Sequence, residues 1–119
     1  MEKRTLTISL QPEWQSALRK AAQTAFAATV YQGEVLNFDS PAAFFSRLTE
    51  RRWAIVHSLQ GAGEVPVREL ARRLGRDVRR VHDDAVELIA LGLLERSERG
   101  GLICPFADIH VDMHLRLAA

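Results

Sequence analysis

The stretch "VPVRELARRLGRDVRRVHDDAVELIALG", Val65 to Gly92, decides the fold. Its first part sets Val67, Leu70, Ala71 and Leu74 at i, i+3, i+4 and i+7, the spacing of one face of an amphipathic helix. Gly75 closes that helix, because glycine readily takes the left-handed conformation in which helices end. Asp77 then suits the N-cap of the next helix, where its carboxylate can accept an otherwise unsatisfied backbone N–H. In "DVRRVHDDAVELIALG" the inward stripe is Val78, Val81, Ala85 and Leu88, and Gly92 stops the helix. Two short helices joined by a tight glycine-containing turn predict a helix-turn-helix.

Working outward, "TERRWAIVHSLQG" predicts a helix over Glu50 to Gln60, capped by Thr49 and ended by Gly61 and Gly63. It buries Trp53, Ile55, Val56 and Leu59. Downstream, "LLERSERGGLICPF" reads as two strands, Leu93 to Ser97 and Leu102 to Phe106, with "ERGG" as the hairpin turn. Three helices followed by a hairpin is the winged-helix order. "DSPAAFFSRL" adds a helix with Ser40 as N-cap and Pro41 in its first turn, and "GEVLNF" before it is a short strand or a loop. At the N-terminus "TLTISL" alternates strictly, with Leu6, Ile8 and Leu10 on one side of a half-buried strand. "PEWQSALRKAAQTAFAATVY" then carries Trp14, Leu18, Ala21, Ala22, Ala25 and Phe26 on one helical stripe. The expected class is mainly α with small β: a winged helix-turn-helix preceded by an N-terminal strand–helix extension. The boundary falls within Gly33 to Asp39. It separates residues 1–34, an extension for dimerisation or partner docking, from residues 35–119, the winged helix with a C-terminal edge strand.

The chain has 119 residues, 47% hydrophobic and 26% charged, enough for a real core without a disulfide or metal staple. Its formal net charge of +1 announces no nucleic-acid binder, but the distribution is uneven. From Val67 to His82 stand Arg68, Arg72, Arg73, Arg76, Arg79 and Arg80 against Glu69 and Asp77. From Asp83 to Glu98 stand Asp83, Asp84, Glu87, Glu95 and Glu98 against Arg96.

A helix-turn-helix inserts the N-terminal end of its second helix into the DNA major groove. With the apolar stripe inward, Arg79, Arg80, Asp83 and Glu87 point outward. Arg76, Arg79 and Arg80 lie at the entering end, and the acidic groups lie where the helix leaves the groove. Arg79–Asp83 and Arg80–Asp84 are i,i+4 pairs able to hold the guanidinium groups. The expected DNA-binding residues are therefore Arg68, Arg72, Arg76, Arg79, Arg80, His82, Arg96 and Arg99. Arg79 and Arg80 enter the groove, Arg68, Arg72 and Arg76 hold phosphate, His82 borders the recognition helix, and Arg96 and Arg99 arm the wing. The partner is double-stranded operator DNA bound by a homodimer, whose symmetry sets two recognition helices in successive grooves. The alternative is a protein–protein interaction module without specific DNA binding, its arginine face meeting an acidic partner.

The segment "VRELARRLGRDVRRVHDDAVELIALGLLERSERGGLICPFADIHVDM" resembles a prokaryotic family of MarR-like winged-helix DNA-binding proteins, often encoded as antitoxins beside small toxins. The resemblance rests on "RELARRLGRDV", "GRDVxxVHxD", "LxxLGLLER", a glycine-containing wing and "PFADIHVD". The upstream "LNFDSPAAFFSRLTERRWAIVHSL" extends it, so that it covers about Val35 to Leu115. It implies a recognition region containing Arg76, Arg79, Arg80 and His82, although Arg80 stands where a small polar residue is common. It further implies a repressor of its own operon that binds a toxin encoded beside it.

Other signals are weaker. "DIHVDMHLRL" puts His110, Asp112 and His114 on one face of a strand, a legitimate metal set, but the simpler reading is the polar side of a half-buried edge strand. No metal and no cofactor is expected. Such an edge can pair with another chain by strand addition, as can Thr5 to Leu10. His57 reads as a core-edge residue. The single cysteine, Cys104, excludes an intrachain disulfide and reads as a buried structural thiol, in keeping with a reducing cytoplasm. The start, "MEKRTLTISLQPEW", turns polar too early for a signal peptide, and no apolar run reaches membrane-span length. The expected location is cytoplasmic. There is no base-oriented serine, no glycine-rich phosphate loop and no acidic pair in a cleft motif, so no enzyme is expected.

Overall fold

The computed structural model describes residues 3–10 and 33–115. The helix expected from Pro12 onward, with Trp14 and Phe26, lies outside the described residues, as do Arg116 and Leu117. The described elements run β1 (Arg4–Ser9), β2 (Glu34–Asn37), α1 (Pro41–Arg47), α2 (Glu50–Leu59), α3 (Val67–Leu74), α4 (Val78–Leu91), β3 (Glu95–Arg96), β4 (Leu102–Ile103) and β5 (Phe106–Asp112). Contacts group them into two units, residues 47–107 and residues 1–46 with 108–119.

The unit of residues 47–107 is built on α2, α3 and α4. Thr49 Oγ1 accepts the backbone N–H of Arg52 at 3.4 Å and starts α2. Ile55, Val56 and Leu59 of that helix are buried with Leu70 and Ala71 of α3 and Val81, Ala85 and Leu88 of α4. Trp53 is only half-buried. After Gly92, Leu93 and Leu94 are both buried, so they anchor the chain beneath the helices instead of starting a strand.

The hairpin is correspondingly shorter than its sequence suggests. Glu95 pairs with Ile103 and Arg96 with Leu102, antiparallel. Val65 adds an antiparallel bridge to Leu102. The expected strand Leu102 to Phe106 is divided among three neighbours: Leu102 and Ile103 stay in the hairpin, Cys104 bridges Gln60, and Phe106 opens β5. Gln60 Nε2 donates to the Phe106 carbonyl at 3.3 Å, which supports this change of direction.

In the other unit β1 is central in a three-stranded sheet of order β2-β1-β5. β1 and β2 are parallel, with Leu6 opposite Glu34 and Ile8 opposite Leu36. A parallel pair needs a long crossover, which the connection between Ser9 and Glu34 has the length to supply. Leu6 and Ile8 are buried, as the alternation predicts. Arg4 grips Glu34 through two hydrogen bonds, of 3.0 and 2.7 Å, and Ser9 Oγ donates to Asn37 Oδ1 at 2.8 Å. Both cross-strand pairs favour this register. Ser40 caps α1 by accepting the Ala43 N–H at 3.1 Å. Phe44 of α1 meets Phe38 edge-on, ring centroids 5.5 Å apart.

The mainly α expectation is corrected. Of the described residues 43% are helical and 26% extended, which makes the protein an α/β mix. The alternation at Thr5 to Leu10, the wing and the tail from Asp108 each reads as β structure, with "GEVLNF" a short strand or a loop. What the sequence does not reveal is that β1 and β5 join one sheet, because such pairing depends on contacts about a hundred residues apart in the chain.

Candidate nucleic-acid interface

The turn between α3 and α4 fixes the site. Gly75 has φ 64° and ψ 36°, the left-handed conformation. Its N–H donates to the Arg72 carbonyl at 3.2 Å, and the Arg76 N–H reaches back to the Ala71 carbonyl at 3.0 Å. These two bonds form the pattern of a helix closed by glycine, and they hold the Arg76 backbone against the end of α3. Asp77 Oδ2 accepts the Arg80 N–H at 3.2 Å, so the predicted cap starts α4.

Arg76 then turns inward. Its Nη2 donates to Asp84 Oδ2 at 2.8 Å, while Arg52 Nε donates to Asp84 Oδ1 at 3.1 Å. The side chains of Arg52, Asp84 and Arg76 are only 20%, 19% and 18% exposed. Arg52 also donates from Nη1 to the Arg47 carbonyl at 2.8 Å. One carboxylate therefore joins the start of α2, the turn and the second turn of α4. Burial favours the neutral acid, but the hydrogen bonds from Arg76 and Arg52 outweigh it and hold the Asp84 carboxyl below its ordinary range. Among the described residues Arg76 Nη1 is buried without a hydrogen-bond partner, a cost within the network.

The expected i,i+4 pairs are thus not those formed. Asp84 lies about 60° around the helix from buried Val81, at the border of the packed face, and it meets arginines from other elements before it meets Arg80. Asp83 is exposed, and the ionisable neighbour it meets is His82, with Nδ1 3.7 Å from Oδ1. Arg79 and Arg80 are exposed, and their guanidinium groups make no hydrogen bond or ion pair among the described residues.

The other expected residues divide in the same way. Arg68 and Arg99 are exposed and free of ion pairs among the described residues. Arg72 is held by Glu69, Nε to Oε2 at 2.9 Å, and Arg73 shares that carboxylate at 3.0 Å. These bonds lower the Glu69 carboxyl from 4.5 to about 2. Arg96 Nη1 reaches the Gly100 carbonyl at 3.4 Å across the hairpin. The hairpin tip is closed by the Ser97 N–H to the Gly101 carbonyl at 2.8 Å and by the Gly101 N–H to Ser97 Oγ at 2.9 Å. Val78, assigned to the inward stripe, is 42% exposed. A helical side chain leans toward the N-terminus, so at the first position of α4 it projects past the end of the packed face.

Sequence reasoning missed Arg51 and Arg52. Arg51 is exposed and unpaired among the described residues, and it lines two adjoining grooves that also contain Arg76 and Arg80. The available signal was "TERR", which puts two arginines in the first turn of α2, but nothing in the local sequence says that this turn lies beside α4.

Elsewhere, His114 Nε2 lies 3.4 Å from Asp112 Oδ1, and the described residues contain no cluster of three His, Cys, Asp or Glu side chains placed to hold a metal. His57 is exposed, its Nδ1 3.3 Å from Gln60 Oε1. Cys104 is buried, and burial pushes its thiol up. Among the described residues no helix is long and apolar enough to cross a membrane.

The arrangement is two helices joined by a glycine turn, with arginines unpaired among the described residues at the start of the second helix and a short hairpin after it. The chain belongs to the HVO_A0114 family, which it matches over residues 47–111. No curated protein and no solved structure matches it.

Proposed function

We propose that the protein is a non-enzymatic, cytoplasmic, sequence-specific DNA-binding repressor, and that it acts as a homodimer. The observation that carries this reading is the state of α4. Asp84 is committed to Arg52 and Arg76 and Asp83 lies by His82, which leaves Arg79 and Arg80 without a carboxylate partner among the described residues on the exposed first turn. Unpaired arginines at that end of a second helix suit guanine edges and phosphates. Arg99, at the hairpin tip, and Arg68 add positive charge available to the backbone. Arg72 and Arg76 contribute less directly, since each is already engaged by a carboxylate. The sequence resemblance to MarR-like antitoxins makes the finer reading an autoregulating antitoxin with a toxin partner encoded beside it.

A protein-interaction module is the second reading, favoured by the exposed Val78 and Val86 on α4. Fluorescence anisotropy of the full chain against its own upstream DNA and a scrambled duplex, over a salt series, separates the two. A repressor prefers its own DNA by about a thousandfold or more and weakens steeply with salt. Absence of binding to either duplex at low salt rejects the DNA reading.

A further inference from the structure

We propose that Arg51 and Arg80 jointly clamp a single phosphodiester of bound DNA, in the groove that both residues line between α2 and α4. The proposal rests on the DNA-binding reading above and assigns a ligand to one place within that interface.

Two adjoining grooves share Arg51, Arg76 and Arg80 as walls. Arg51 comes from the first turn of α2 and Arg80 from the first turn of α4, so the two cations are presented by separate, packed helices. The other charges around them are committed. Arg52 and Arg76 share Asp84, the Asp77 carboxylate caps α4, and Asp83 faces His82. Four arginines against three aspartates leave one positive charge in this wall. That excess matches one phosphodiester, a monoanion, and not a run of phosphates.

Geometry favours the same ligand. Arg52 follows Arg51 in the chain and is held by Asp84 and the Arg47 carbonyl, so the backbone that carries Arg51 is anchored. Arg80 is anchored through its own N–H on Asp77. Two planar guanidinium groups with ten N–H donors between them can surround two phosphate oxygens from opposite sides, which one lysine-like point charge cannot do. The amino end of α4, with its unsatisfied N–H groups, adds attraction for an anion. Arg79, about 100° around the helix from Arg80, is left to meet the bases.

The test is a phosphate-by-phosphate scan. A duplex is selected from a random-sequence library by the full wild-type chain, and each phosphate in turn is replaced by a neutral methylphosphonate. Wild type is expected to lose about tenfold in affinity at one position in each half-site because of this contact. Arg51→Ala and Arg80→Ala are each expected to become insensitive at that same position while staying sensitive elsewhere. The double variant should lower the salt slope by about one per half-site, and so by about two for the bound dimer, not by two per half-site. Both side chains are exposed, and urea denaturation verifies that the variants fold. If the two variants lose sensitivity at different positions, or at none, the clamp is overturned while DNA binding stands. If the full chain selects no duplex and binds none at low salt, the DNA-binding reading fails and the clamp fails with it.

Discussion

Arg76 Nη2 donates to Asp84 Oδ2 at 2.8 Å, joining the turn residue to the second turn of the helix that the turn introduces. The other carboxylate oxygen of Asp84 accepts from Arg52 at 3.1 Å. This carboxylate sets the position of α4 against α2 and neutralises one of the two arginines beside it. The basic end of α4 is thereby left without a carboxylate partner among the described residues, and the acidic residue that follows it serves the protein's own packing.

Asp84→Ala should cost about 2 kcal/mol, because it leaves two half-buried guanidinium groups without their partner. Asp83→Ala, one residue away on the exposed side, should change stability by no more than about 0.5 kcal/mol. Urea midpoints of both variants check this. Equal effects would mean that the network contributes nothing.

Acid should weaken the fold through the same group. The Asp84 carboxyl is lowered in the folded chain, so its contribution is present above the unfolded value near 3.8 and is lost as pH falls through the folded value. Glu69, lowered from 4.5 to about 2, has the same sign, though solvent screening makes its effect small. The urea midpoint should fall between about pH 5 and pH 2, and Asp84→Asn should flatten that decline. An unchanged decline in Asp84→Asn would assign the acid sensitivity elsewhere.

Two valines on α4 should behave differently despite lying on one apolar stripe. Val78 is 42% exposed and Val81 is 0% exposed. Val78→Ala should cost less than about 0.5 kcal/mol, whereas Val81→Ala should cost about 2. A large loss at Val78 would place it inside the packed face.

Gly75→Ala should cost about 1 kcal/mol from backbone strain alone. At φ 64° an added Cβ meets nothing within 4 Å, so there is no steric clash to relieve. Thermal unfolding measures the loss, and a neutral substitution would show that the turn can relax.

Arg72 and Arg79 should part company in DNA titrations. Arg72 is already held by Glu69, so Arg72→Ala should leave the salt slope of binding nearly unchanged. Arg79→Ala should weaken the preference for specific DNA by about tenfold or more. If Arg72→Ala lowers the slope by about one per half-site, Arg72 must leave Glu69 for phosphate on binding.

Much of the local structure was legible in the residues. Thr49, Ser40 and Asp77 cap the helices they precede, and Gly75 and Gly92 end the helices they follow. These features depend on bonds between residues three to five apart, so the chain alone determined them, together with the alternation that buries Leu6 and Ile8 in β1. Tertiary structure decided the rest. Asp84 could be paired from the sequence only with its i−4 neighbour, yet its partners are Arg52, thirty-two residues away, and Arg76, eight away. Arg51 became a candidate only when α2 packed beside α4. The tail after Cys104 was readable as a strand, but its place beside β1 was not. Periodicity says which face of an element is buried. It does not say which distant element covers that face, because that choice is made by the combined burial and pairing of segments that never meet along the chain.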